Sequence, residues 1–222
     1  SAWGDLLTGY DGKTVTSDAI GNITSDGNWT YTWEHGRQLA SMRQGSFVVT
    51  FTYDANGIRT SQDIDGLLIT YVYNGDKLTQ MTRGSETFYF TYDAAGNPAT
   101  MGYNGQRYYY VLNLQGDVVG LLNSSGSLVV SYAYDAWGNV IQTGGSLYDP
   151  VGYYNPLRYR GYVYDYVTGL YYLQSRYYNP QIGRFISADN YPATGQGLLG
   201  NNMFAYCGNN PVSRGDDGGE FW

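Results

Sequence analysis

One short motif recurs along this chain and fixes most of what it can fold into. Tyr53-Asp54-Ala55-Asn56-Gly57, Tyr92-Asp93-Ala94-Ala95-Gly96 and Tyr134-Asp135-Ala136-Trp137-Gly138 share the pattern Tyr-Asp-x-x-Gly, at spacings of 39 and 42 residues. Looser variants stand between them at Trp33-Glu34-His35-Gly36, Tyr73-Asn74-Gly75-Asp76 and Asn113-Leu114-Gln115-Gly116-Asp117, so the underlying step is about twenty residues. Residues alternate in character on the way into each motif: Phe47, Val49, Phe51 and Tyr53 fall on one side, and Val48, Thr50 and Thr52 on the other. A period of two is a strand with one buried face. The Asp then caps a turn through its side chain, and the Gly supplies a left-handed conformation. Each unit is thus a β-hairpin that cannot bury its own apolar face, so successive hairpins must join into a continuous sheet or wall.

Composition agrees with this and excludes several functions. The 222 residues include 26 Tyr and 31 Gly but only Lys13 and Lys77 as lysines. Tyrosine favours strands and glycine punctuates turns, so an all-β fold is expected. Tyrosine also keeps a hydroxyl, so a sheet face lined with it could tolerate water or line a cavity. The net charge of −7 argues against a nucleic-acid groove. No apolar run is long enough to span a membrane. One Cys, Cys207, allows no internal disulfide, and His35 is the single histidine. A thiol or serine nucleophile has no other base to call on, and Cys207 reads as a small buried apolar residue. Ser1-Ala2-Trp3 starts in mid-pattern, as expected of a piece of a longer chain.

The texture changes after Tyr134. Gly144-Gly145-Ser146 reads as a junction, so repeats are expected over residues 1–145 and a distinct segment over 146–222. Within that segment, Arg158 to Gly183 carries two tyrosine-rich runs around a Thr168-Gly169 turn. Arg158, Arg160, Arg176 and Arg184 sit among these tyrosines and are expected to stack on rings or to pair with Asp165 and Asp189. Leu198 to Cys207 is the one stretch expected to be helical, with Gly208 as its stop.

On the three Tyr-Asp-x-x-Gly units, Leu157-Arg158-Tyr159-Arg160-Gly161-Tyr162, Arg176-Tyr177-Tyr178-Asn179-Pro180, Gly183-Arg184-Phe185-Ile186 and Asn209-Asn210-Pro211-Val212, the chain resembles the Rhs/YD-repeat proteins and their repeat-associated core. The resemblance implies antiparallel hairpins forming a curved sheet, part of a hollow shell. It further implies that this shell encloses or presents a C-terminal toxin domain, in a parent that is secreted or displayed at the cell surface. Some members of the family cleave themselves beside an Asp-Pro-x-Gly motif, using aspartates. Here Asp216 and Gly219 match that motif, but Asp217 stands where the Pro belongs, and no Pro follows Asp189. Asp189 and Asp216 are therefore the candidate catalytic pair, with Arg184 and Arg214 as electrostatic support. Two carboxylates held close share a proton, so one can act as acid while the other activates water. The plain alternative makes both of them turn residues.

Other motifs carry less. Gly195-x-Gly197-x-x-Gly200 has dinucleotide-loop spacing but no βαβ context, and reads as a loop. Asp63-x-Asp65-Gly66 opens like a calcium loop but lacks its later Glu, and reads as a turn. No cofactor or metal is expected. Three functions stay open: a structural shell, a single-turnover self-cleaving core, and an adhesion or glycan-binding module. Exposed strand edges also lead us to expect self-association.

Overall fold

The computed structural model describes residues 4–189, 202–216 and 218–219. The chain packs as two compact units, Ser1–Ile69 with Leu173–Trp222, and Thr70–Tyr172. The first unit holds β1 (Gly9–Tyr10), β2 (Lys13–Thr14), β3 (Thr16–Ser17), β4 (Ile23–Ser25), β5 (Thr30–Glu34), β6 (Gln38–Gln44), β7 (Phe47–Tyr53) and β8 (Arg59–Ile64). β9 (Leu67–Asn74) begins there and runs on into the second unit. The second unit continues with β10 (Lys77–Arg83), β11 (Glu86–Tyr92), β12 (Pro98–Tyr103), β13 (Gln106–Leu112), β14 (Val118–Leu122), β15 (Leu128–Tyr134) and β16 (Val140–Gly144). From β3 to β16 the strands form one antiparallel sheet of fourteen strands whose order is the order of the chain. The expected all-β architecture of consecutive antiparallel hairpins is therefore what the chain adopts.

The alternation read from the sequence decides which side chains turn inward. On β7, Val49 and Phe51 are buried while Thr50 and Thr52 are exposed. On β11, Phe88 and Phe90 are buried while Tyr89 is exposed. Each motif then builds the same turn. Asp54 Oδ1 accepts the amides of Asn56 and Ile58 at 2.8 and 2.9 Å, and Gly57 closes the turn at φ 81°. Asp93 and Asp135 accept the corresponding pairs of amides, and Asn113 does so in the variant unit.

Two features of the repeat are not visible in the alternation. First, the motif tyrosines reach back across the sheet. Tyr53, Tyr92 and Tyr134 donate their hydroxyls to the carbonyls of Leu39, Leu78 and Val118 at 2.7–2.8 Å. Trp33 does the same through its indole nitrogen to Ile23, at 2.7 Å. Second, the register shifts by one residue beside each turn, between Thr52 and Tyr53, Thr91 and Tyr92, and Ala133 and Tyr134. The extra residue falls on the returning strand, where a bulge adds local twist and bend.

After β16 the strands become very short. In the second unit β17 (Val163–Tyr164) pairs with β18 (Tyr171–Tyr172) across the Thr168-Gly169 turn. In the first unit β19 (Tyr177–Asn179) pairs with β20 (Arg184–Phe185). On these strands Tyr171, Tyr172, Tyr177 and Tyr178 are buried and Tyr164 is half-buried, so the wet tyrosine face that the sequence allows does not form there. Arg158 is buried and directs its donors at main chain. It donates to the carbonyls of Gly152, Tyr153 and Asn155 and lies over the rings of Tyr132 and Tyr164.

The expected helix over Leu198–Cys207 falls partly outside the described residues. Of the remainder, 202–206 form a turn and a β-bridge, and a single helical turn spans Cys207–Asn209. Cys207, Gly208 and Asn209 all have positive φ, at 52°, 58° and 62°, so this turn winds in the left-handed region. The Gly195-x-Gly197-x-x-Gly200 loop lies outside the described residues.

Candidate functional site

The site lies in the first unit, where three stretches distant in sequence meet at Arg176. The hairpin β19–β20 supplies the floor. Tyr178, Phe185 and Tyr206 are fully buried with ring centroids 4.1–6.0 Å apart. Arg176, just before β19, lies over Phe185 with its guanidinium carbon 3.7 Å from the ring centroid. A guanidinium so held can direct its fork of donors.

Both candidate carboxylates converge on one nitrogen of that fork. Arg176 Nη2 stands 2.8 Å from Asp189 Oδ2 and 3.9 Å from Asp216 Oδ2. Arg176, Asp189 and Asp216 are 6%, 8% and 2% exposed, so the pairing takes place away from bulk water. Buried groups this close are held by mutual pairing, and loss of the cation would leave two carboxyl groups without it. The remaining donors of Arg176 bind main chain: Nη1 donates to Met203 O at 3.0 Å, and Nε donates to Gly219 O.

The structure thus brings Asp189 and Asp216 together, and it puts Arg176 between them. Arg184 donates instead to Asp5 O at 2.6 Å and lies over Phe204 at 4.8 Å. Burial lowers the pKa of Arg184, with Asp5 opposing. The Arg214 carbonyl accepts from Cys207 Sγ at 3.4 Å. Arg37, which the sequence did not single out, donates to Ala188 O beside Asp189. Burial lowers its pKa, opposed by Asp189 and Asp18.

Ser175 is a second residue the sequence did not mark. Its amide and its hydroxyl both donate to Gly218 O, at 3.4 and 2.7 Å. Asp216 Oδ1 in turn accepts the Gly219 amide at 2.7 Å. A cleft of about 530 Å³ opens beside these residues and is lined by His35, Arg37, Ser175 and Gly218 among others. No cluster of three or more metal-ligating side chains occurs among the described residues. Asp63 lies near the end of β8, where its Oδ1 accepts the Gly66 amide at 2.7 Å, and Asp65 and Gly66 form the turn.

Comparison with known proteins places this arrangement in context. A family model described as the Teneurin YD-shell matches residues 3–212. The tRNA nuclease WapA of Bacillus subtilis is 37% identical over 227 residues, which cover 97% of this chain and 9% of WapA. The tRNA3(Ser)-specific nuclease WapA of Bacillus spizizenii is likewise 37% identical, over 222 residues, with the same coverage. Salivary gland surface protein 1 of Aedes aegypti is 32% identical over 118 residues, 53% of this chain and 3% of that protein. Among solved structures, the TcdB2-TccC3-Cdc42 crystal structure superposes with a TM-score of 0.73 at 22% identity, covering 91% of this chain and 11% of that one. The chain therefore spans about a tenth of the WapA proteins and of the matched chain in that structure.

Proposed function

Since this chain belongs to the Teneurin YD-shell family, we propose that it is a wall segment of a larger β-shell that encloses or presents an effector joined C-terminal to it. The observation that carries this reading is the sheet itself. Its strands follow chain order, and each motif adds the same capped turn, bulge and hydroxyl tie. Such a sheet grows by repetition and needs no site of its own. The WapA relatives are named as tRNA nucleases, and this chain matches 9% of each. With one histidine and a net charge of −7, these 222 residues do not resemble a phosphate-binding nuclease centre, so a nuclease or other toxin would be a separate domain. The parent is expected to act outside the producing cell or at its surface. No described helix is long and apolar enough to cross a membrane. Limited proteolysis of the full-length parent tests this reading. Protease should trim the effector only after the shell is opened; equal trimming in the intact parent would count against enclosure.

A second reading, single-turnover self-cleavage, is favoured by the convergence of Asp189 and Asp216 on Arg176 beside the Gly218-Gly219 main chain. In that reaction one carboxylate would take a proton from water as the water oxygen bonds to the peptide carbonyl carbon. The other carboxyl would give a proton to the departing nitrogen as the C–N bond breaks. Mass spectrometry of the full-length parent decides it: two fragments that become one in Asp189→Asn support cleavage, and an intact wild-type chain rules it out.

A further inference from the structure

We infer that Leu173, Ser175 and Arg176 form a clamp for a bent peptide segment that must carry glycine at the position of Gly219. Four contacts define it. Ser175 binds the Gly218 carbonyl twice, through its amide and its hydroxyl. Arg176 Nε binds the next carbonyl, that of Gly219, and Asp216 takes the Gly219 amide. Two successive peptide units are thereby held through their main chain, so the clamp fixes register without reading side chains.

The glycine requirement comes from space and from backbone. A Cβ at residue 219 would stand 2.7 Å from Ser175 Oγ and 2.9 Å from Leu173 O, closer than real Cβ contacts allow. Leu173 O is main chain and cannot swing aside. Residue 219 also has φ +75°, which side chains with a Cβ rarely adopt. Arg176 links this clamp to the carboxylates, since the same guanidinium that holds Gly219 O holds Asp189 and Asp216. Ser175 and Arg176 are therefore positioning residues. They hold the Gly218-Gly219 main chain in fixed register beside the carboxylate pair. The positioning role rests on the self-cleavage reading, whereas the clamp does not.

The experiment uses the full-length parent and reads two signals. The first is hydrogen exchange of the Gly219 amide. Ser175→Ala, Arg176→Lys and Gly219→Ala should each speed it by about tenfold to a hundredfold, the loss expected for a charge-assisted or buried hydrogen bond. The Tyr178 and Phe185 amides should be unchanged, which separates release of the clamp from unfolding. Ser175→Ala removes one oxygen and is the variant that preserves the fold. Unchanged protection of Gly219 in Ser175→Ala and Gly219→Ala overturns the clamp. The second signal is the cleavage junction, read by mass. If wild type is cut, Ser175→Ala and Gly219→Ala should slow the cut about tenfold or more, or spread it over neighbouring bonds. A single unshifted junction at the wild-type rate overturns the positioning role. Arg176→Lys should recover thermal stability but not the junction, a split that a merely structural arginine would not give. A wild-type chain that stays whole while the variants lose protection keeps the clamp and removes self-cleavage.

Discussion

Tyr92 on β11 and Tyr171 on β18 both donate a hydroxyl to a main-chain carbonyl at 2.8 Å, yet they solve different problems. Tyr92 is half-buried, and its acceptor, Leu78, lies fourteen residues back on the neighbouring strand. Tyr171 is fully buried, and its acceptor, Gly138, lies 33 residues back in a repeat turn. In the repeats, tyrosine ties consecutive strands of a sheet that already exists. In the stretch after β16 the strands are two or three residues long, and tyrosine replaces the ladder: ring packing and hydroxyl-to-carbonyl bonds hold segments that strand pairing alone could not. A repeat held locally can be lengthened or shortened. A segment held by distant contacts is specified once.

The comparison can be broken most severely in alkali. Burial raises the pKa of Tyr110, Tyr132 and Tyr134 on the repeat strands, and of Tyr164 in the later stretch. In the unfolded chain each would ionise near pH 10. Their stabilising contribution is thus complete below about pH 10 and is lost as pH rises towards the folded values, at about 1.4 kcal/mol per pH unit for each tyrosine kept neutral. Tyr103, pushed up to about 12 by its hydrogen bond to Glu86, belongs to the same series. A distinct part of the tyrosinate absorbance at 295 nm should therefore appear only above about pH 10 and only together with loss of circular dichroism. Complete tyrosinate formation with retained structure would mean that these hydroxyls are wet.

Removal of the Arg176 cation comes next. Arg176→Ala leaves Asp189 and Asp216 buried without it and should cost about 3–5 kcal/mol in denaturant titration. A cost near zero would place that triad in water.

Removing single hydroxyls sharpens the contrast between regions. Tyr171→Phe strips a buried carbonyl of its donor and should cost about 1–3 kcal/mol. Tyr92→Phe, at a half-buried site, should cost about 1 kcal/mol. Equal costs would erase the distinction drawn above.

The smallest effect belongs to the turns. Asp135 Oδ1 accepts the Trp137 and Asn139 amides as Asn113 Oδ1 accepts those of Gln115 and Asp117. Asp135→Asn should therefore change stability by less than about 0.5 kcal/mol. A larger loss would show that the charge, and not the acceptor oxygen, makes the turn.

These contrasts also explain what could be read from the residues alone. Val49, Thr50, Phe51 and Thr52 announce their faces through alternation, because a strand with one dry side leaves a period of two. Asp54 and Gly57 announce a turn, because few other residues satisfy it. The bulge beside each turn leaves no such mark, since Thr60 and its counterparts differ little from their neighbours. In the later stretch, Tyr159, Tyr171 and Tyr178 are buried whichever way they point, so there is no alternation to read. Asp189 and Asp216 are legible through the family resemblance, and Arg176 is legible as a ring-stacking arginine that pairs with Asp189, but its approach to Asp216 is not. Arg176 reaches Gly219 across 43 residues, and Arg37 reaches Ala188 across 151. Contacts at such separations follow from the fold and leave no local pattern. The helix expected over Leu198–Cys207 fails in its described part because Ala205 bridges Arg184 and the Phe204 and Met203 carbonyls accept the Phe185 and Asp189 amides, so that main chain pairs with the hairpin instead of with itself.

Electron cryo-microscopy of the full-length parent tests the shell account most directly. The account predicts that strands of this segment continue into a closed wall, with density for the effector on its inner side. A wall with solvent inside and the effector tethered outside, or hairpins that do not join into a wall, would contradict it.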